Sequence, residues 1–141
     1  YFIVLERSDV YFISLASVDE TMGIVKNIRK IPGVIGVDIT AVSVERLIEQ
    51  EPEGFRSYVL LTVTPGKDEA VVDAIKKLKS AEVSLAMVAY CFKDFKYDLS
   101  LFIICKSQKG MLDYIQTIRD KIAGVVDTEF MLLGEMASFK K

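Results

Sequence analysis

Chemistry in this chain must be built from carboxylates, lysines, tyrosines and two cysteines, because its 141 residues include no histidine. That removes the commonest general base and metal ligand at neutral pH, and the usual proximal haem ligand. Cys91 and Cys105 stand outside any C-x-x-C motif and make no disulfide framework, so each reads as a small buried hydrophobe. Gly66-Lys67 looks like the end of a phosphate loop, but the G-x-x-x-x-G-K-[ST] spacing is absent. Asp19 and Glu20 form an acidic pair, yet Ser17-Val18-Asp19-Glu20 is a capping-box pattern, and helix capping explains both. Lys93, Asp94 and Lys96 cluster at a predicted hairpin tip. They suit either a carboxylate ligand or a solvated tip that discourages edge pairing. No catalytic constellation, metal site or cofactor is expected.

The bulk numbers narrow the class. A net charge of −2 gives the chain no global pull toward phosphate, which argues against nucleic acid as a direct partner. A hydrophobic fraction of 51% beside 27% charged residues fits a globular protein that buries more than one face. No apolar run approaches the length of a membrane span, and Tyr1–Leu5 has no basic leader, so the expected location is cytoplasmic. The chain begins with Tyr1 rather than Met, as a piece of a longer protein would.

These residues need elements to position them. Tyr1–Leu5 and Asp9–Ala16 read as a hairpin around a polar break. A helix follows the capping box, with Thr21, Ile24, Val25, Ile28 and Ile31 at helical spacing until Pro32-Gly33 stops it. Residues 37–42 alternate as a strand. Residues 45–54, with Glu45, Glu49, Glu51 and Glu53 around Pro52 and Gly54, read as a solvated connector with a short helical turn at 46–50.

Residues 55–133 then spell βαββαβ: strand 57–64, helix 68–79, strand 83–92, strand 97–105, helix 108–122, strand 125–133. Val71, Val72, Ile75 and Leu78 form one helical stripe; Met111, Ile115, Ile118 and Ile122 form the other. Val83, Leu85, Met87, Ala89 and Cys91 share one predicted strand face. The fold class is α+β, a ferredoxin-like βαββαβ of the dimeric α+β-barrel type, preceded by a partial ββαβ repeat over residues 1–44 and followed by a tail at 134–141.

Two helices on one sheet face leave the other face uncovered. Its candidate side chains are Ala86, Val88, Tyr90, Phe102, Ile104, Phe130 and Leu132, depending on which face each strand presents. A face of that size calls for a second sheet, from an upstream repeat or from another copy, so self-association as a dimer or higher is expected. An upstream repeat has support in the sequence. Ile28-Arg29-Lys30-Ile31-Pro32-Gly33-Val34 parallels Ile118-Arg119-Asp120-Lys121-Ile122-Ala123-Gly124-Val125 with one residue inserted. Any two strand–helix–strand pieces share some of this likeness; the common Ile-Arg and Ile-x-Gly-Val favour duplication.

Three stretches carry a family resemblance: Tyr58 to Lys67, ending Thr64-Pro65-Gly66-Lys67; Tyr97-Asp98-Leu99; and Ile118 to Val125, ending Ile122-Ala123-Gly124-Val125. In order and spacing they resemble the effector-binding (RAM, ACT-like) domain of Lrp/AsnC transcription regulators. The resemblance covers a little over half the chain, and the upstream residues look like the second half of another such domain. It implies a small effector, usually an amino acid, bound between subunits near the turn before Tyr97-Asp98. The implied site residues are Phe95, Tyr97 and Asp98. Phe95 stands where the family often has glycine, and would either fill the pocket or stack on a flatter ligand. Tyr97 fits a pocket wall or a core aromatic, and Asp98 fits a ligand-amine partner or an acceptor for turn amides. Family regulators bind DNA through a helix-turn-helix before this domain; residues 1–54 read instead as strands around one helix. Two other readings stand beside the sensor: a small enzyme of the dimeric α+β-barrel type, and an assembly module without a ligand.

Overall fold

The computed structural model describes residues 2–3, 12–13, 18–37, 42–91 and 96–133. Contacts divide the chain into two units, one comprising Tyr1–Ser43 with Cys91–Phe95, the other Val44–Tyr90 with Lys96–Lys141.

In the first unit β1 (Phe2–Ile3) pairs antiparallel with β2 (Phe12–Ile13), with Phe2 opposite Ile13, as the hairpin reading requires. Helix α1 (Val18–Ile28) buries Thr21, Val25 and Ile28, and Val25 and Ile28 cluster with Val37. The helix ends three residues before the expected Ile31, which is 53% exposed. Ile31 instead donates its amide to the Ile28 carbonyl in a tightened turn, and Gly33 takes the positive φ of +92° that closes it. Val37 lies outside any strand and residues 38–41 lie outside the described residues. The strand predicted at 37–42 therefore falls mostly outside the described residues, and a strand β3 spans Val42–Arg46. Glu45 and Arg46 therefore belong to a strand rather than to the connector, and residues 46–50 form no helical turn. The partner that creates β3 is distant in sequence: β3 lies beside β5 in the sheet below.

The second unit holds β4 (Phe55–Val63), α2 (Asp68–Lys77), β5 (Val83–Cys91), β6 (Leu99–Cys105), α3 (Gln108–Lys121) and β7 (Val125–Leu133). The strand order β3-β5-β6-β4-β7 makes β4-α2-β5 a split βαβ unit with β6 inserted antiparallel between its strands, the ferredoxin-like arrangement. Local chemistry sets the helix ends. Ser107 accepts the Gly110 amide at 3.0 Å as the N-cap of α3, and α2 carries Asp68 and Glu69 in its first turn and Lys76 and Lys77 in its last, matching the helix dipole. Both helices pack on one sheet face. Val71, Val72 and Ile75 of α2 and Met111, Tyr114, Ile115 and Ile118 of α3 share a core with Val59, Leu61, Val63, Leu99, Leu101 and Ile103.

The opposite face holds Tyr58, Ala86, Phe102 and Ile104, with Ile48, Met87, Met131 and Leu133 against them. Val88 and Tyr90, proposed for this face, lie in the helix-side core instead. The cause is an irregularity between Leu85 and Met87: Leu85 faces Ile103 while Met87 faces Phe102, so one extra residue reverses the alternation along β5. Phe130 also lies off this face, because its cross-strand partner Val59 belongs to the helix-side core, and Leu132, two residues further along β7, shares the side of Phe130. Tyr58, Phe102 and Ile104 are at most 7% exposed, so this face is already buried in a single chain. The hairpin register places Cys105 opposite Val83 and Tyr90 opposite Leu99, which holds Cys91 and Cys105 at opposite ends of the β5–β6 pair, not bonded to each other.

Candidate functional site

The three stretches that carry the family resemblance meet at the C-terminal end of β4. Asp98 donates its amide to the Leu61 carbonyl at 2.9 Å, and its carboxylate accepts the Val63 amide at 2.6 Å. Asp98 thereby extends the β4–β6 ladder, whose last backbone pair is Leu61–Leu99, by one side-chain bond. One residue on, the Thr64 amide donates to the Gly124 carbonyl at 2.7 Å, tying the Pro65-Gly66 turn to the end of α3. Gly124 has φ +103°, and a Cβ there would lie 3.1 Å from both Lys67 Cβ and Val71 Cγ2, so two of the motif stretches touch at a position that requires glycine.

Tyr97 is buried, with 6% of its surface exposed. Its hydroxyl donates to Glu129 Oε2, and the Lys96 ammonium donates to Glu129 Oε1 at 2.6 Å. The same ammonium sits 4.9 Å from the centroid of the Tyr97 ring, within cation–π range. Glu129 lies on β7 opposite Leu60, so the three side chains link the start of β6 to β7 across the intervening β4. Hydrogen bonds from Lys96 first, and then from Tyr97, hold the Glu129 carboxyl below the ordinary carboxylate range. The Lys96 ammonium is pushed up chiefly by the Glu129 hydrogen bond. The Tyr97 hydroxyl is pushed up first by burial and then by Glu129. Lys96 and Glu129 are each about half exposed, and an ion pair that wet contributes little to stability; its value is positional.

Of the residues expected at the site, Tyr97 and Asp98 therefore stand together at one corner of the sheet, and Phe95 lies outside the described residues. Asp98 is engaged with backbone amides, the structural one of its two readings. Glu129 was missed. Its signal was weak, because Asp127, Thr128 and Glu129 together read as a polar stretch within β7 and its partners lie 32 and 33 residues away. Elsewhere, burial pushes the Cys105 thiol up to about 11, which keeps it protonated and unreactive. A groove of about 180 Å³ between the end of α2 and α3 is lined by Lys79, Ser80, Glu82, Asp113 and Tyr114, among others. The Tyr114 hydroxyl has no partner and no accessible surface, so nothing in that groove reaches it. Among the described residues no cluster of His, Cys, Asp or Glu could hold a metal, and no helix is long and apolar enough to cross a membrane.

Strand order, helix placement and this corner define a ferredoxin-like α+β domain. Among solved structures, the chain is similar to the crystal structure of FFRP-DM1, at 20% identity over 56% of this chain and 97% of that one, with a TM-score of 0.38. It is also similar to the structure of E. coli AsnC, at 12% identity over 87% of this chain and 74% of that one, with a TM-score of 0.49. No family signature and no curated protein matches the chain.

Proposed function

We propose that this chain is a ligand-sensing and self-associating domain of an Lrp/AsnC-like transcription regulator, taking a small effector such as an amino acid where the Tyr97–Asp98 corner meets a neighbouring subunit. The observation that carries the reading is the convergence of three motif stretches on the end of β4, through the Asp98–Val63 and Thr64–Gly124 hydrogen bonds. Residues spread over the whole second unit are spent on building one corner. Polar groups at that corner border β7, an edge strand that leaves Val126, Phe130 and Leu132 exposed at 63%, 43% and 54%. Those side chains offer apolar surface for self-association beside the corner, where Tyr58, Phe102 and Ile104 are already buried. The reading is non-enzymatic. Burial raises both the Cys105 thiol and the Tyr97 hydroxyl, the opposite of what a nucleophile or general base at neutral pH needs.

The test is thermal shift and sedimentation velocity across an amino-acid panel, for the wild type and Phe95→Gly. At least one amino acid is expected to raise the melting temperature and change the sedimentation coefficient, and Phe95→Gly to alter that response with the fold retained. Unchanged profiles for both proteins across the panel would defeat the sensor reading and leave the assembly module in front.

A further inference from the structure

We propose that Lys96 and Tyr97 form a carboxylate-binding pair that the chain's own Glu129 occupies, so that a free carboxylate ligand binds there by displacing Glu129. The proposal rests on the reading of the Tyr97–Asp98 corner as a ligand site and adds how that site is kept closed.

The geometry is that of carboxylate recognition by two donors. One oxygen of Glu129 accepts from the Lys96 ammonium at 2.6 Å, and the other accepts from the Tyr97 hydroxyl. The Lys96 charge is aligned by the Tyr97 ring beneath it, 4.9 Å from the centroid. The tyrosine is fixed by burial, whereas Lys96 and Glu129 are 54% and 46% exposed in their side chains. A buried neutral donor beside a half-exposed cation selects an anion with two acceptor oxygens. Phosphate would bring more charge than one ammonium balances, and Asp127, opposite Thr62 and two residues from Glu129 on β7, adds a like charge nearby. A monocarboxylate fits the pair.

Glu129 reaches the pair from β7, held by the β4–β7 ladder, in which Leu60 faces Glu129. Tethering gives it an effective concentration of about millimolar or more, so a free carboxylate displaces it only at a comparable concentration or with contacts beyond the pair. Because the Lys96–Glu129 bridge is solvent-exposed, it contributes little to the fold, so it can be exchanged for a ligand without disturbing the sheet. The Asp98–Val63 bond holds the end of β4 independently of the exchange.

The experiment is titration of the full chain with sodium acetate, followed by two-dimensional NMR at Lys96 and Tyr97, with sodium chloride at equal ionic strength as the control. Glu129→Ala is expected to bind acetate with an apparent Kd at least about tenfold below that of the wild type, equivalent to about 1.4 kcal/mol. Adding Lys96→Met should remove that gain. Glu129→Gln, which keeps the side chain's shape, should fall between, and unchanged amide shifts in β4 and β7 mark the sheet as intact in each variant. Equal acetate affinity in the wild type and both Glu129 variants, or shifts that map away from Lys96 and Tyr97, would overturn the proposal. The two readings fail separately. Acetate binding to Glu129→Ala without any amino-acid response in the wild type or Phe95→Gly sinks the sensor and supports the pair. An amino-acid response with no gain in Glu129→Ala sinks the pair and leaves the sensor.

Discussion

Asp98 shows how one side chain can serve position before chemistry. Its carboxylate takes the Val63 amide just beyond the last β4–β6 backbone pair, where the ladder would otherwise leave that donor without a strand partner. Val63 is 4% exposed, so water is a poor substitute there. Asp98→Ala is expected to destabilise the chain by about 1–3 kcal/mol, because it removes the acceptor and strands the amide. Asp98→Asn retains a carbonyl oxygen at the same place and should cost clearly less. Urea denaturation gives the two values, and hydrogen exchange at the Val63 amide should accelerate in the alanine variant alone. Equal stability of Asp98→Ala and the wild type would show that the bond contributes nothing net.

At the scale of elements, α3 is seated by a contact that only glycine permits. A Cβ on Gly110 would lie 2.4 Å from Glu82 Cβ and 3.0 Å from Ser107 Oγ, the very oxygen that caps the helix. Glu82 is itself tied to Ser107 through a 2.9 Å hydrogen bond and accepts the Lys106 amide at its carbonyl at 2.8 Å, so it cannot move away cheaply. In an open helix Gly→Ala would gain about 1 kcal/mol of propensity. Here overpacking costs of about 1–3 kcal/mol should win, and Gly110→Ala is expected to lower the melting temperature. A rise in melting temperature would mean that the β5 end yields freely to α3.

For the molecule as a whole, charge is the deciding quantity for direct nucleic-acid contact. The net charge of −2 gives the chain as a whole no net attraction to phosphate, and the described helices pack their apolar sides on core clusters. This 141-residue chain by itself is expected not to bind duplex DNA with sequence preference. Gel-shift titration over a range of salt concentrations checks this; sequence-dependent, salt-sensitive retardation would overturn it.

The residue order alone determined the βαββαβ succession of 55–133, because periodicity and caps are local. Met111, Ile115, Ile118 and Ile122 repeat at helical spacing and all four are buried, and Ser107 caps the helix as its type suggests. The motif stretches also point to Tyr97 and Asp98, which the structure places side by side at one corner of the sheet. What only the tertiary structure decided depends on partners far along the chain. β3 exists at Val42–Arg46 because the edge of β5 is there to receive it. The irregularity between Leu85 and Met87 has no signature in an evenly alternating run, yet it moves Val88 and Tyr90 into the helix-side core. Glu129 becomes a partner of Lys96 and Tyr97 only once β4 lies between β6 and β7. Local preferences are set by a residue and its near neighbours, whereas strand partners, bulges and cross-strand polar pairs are chosen by whichever packing buries the most apolar surface while leaving the fewest amides unpaired.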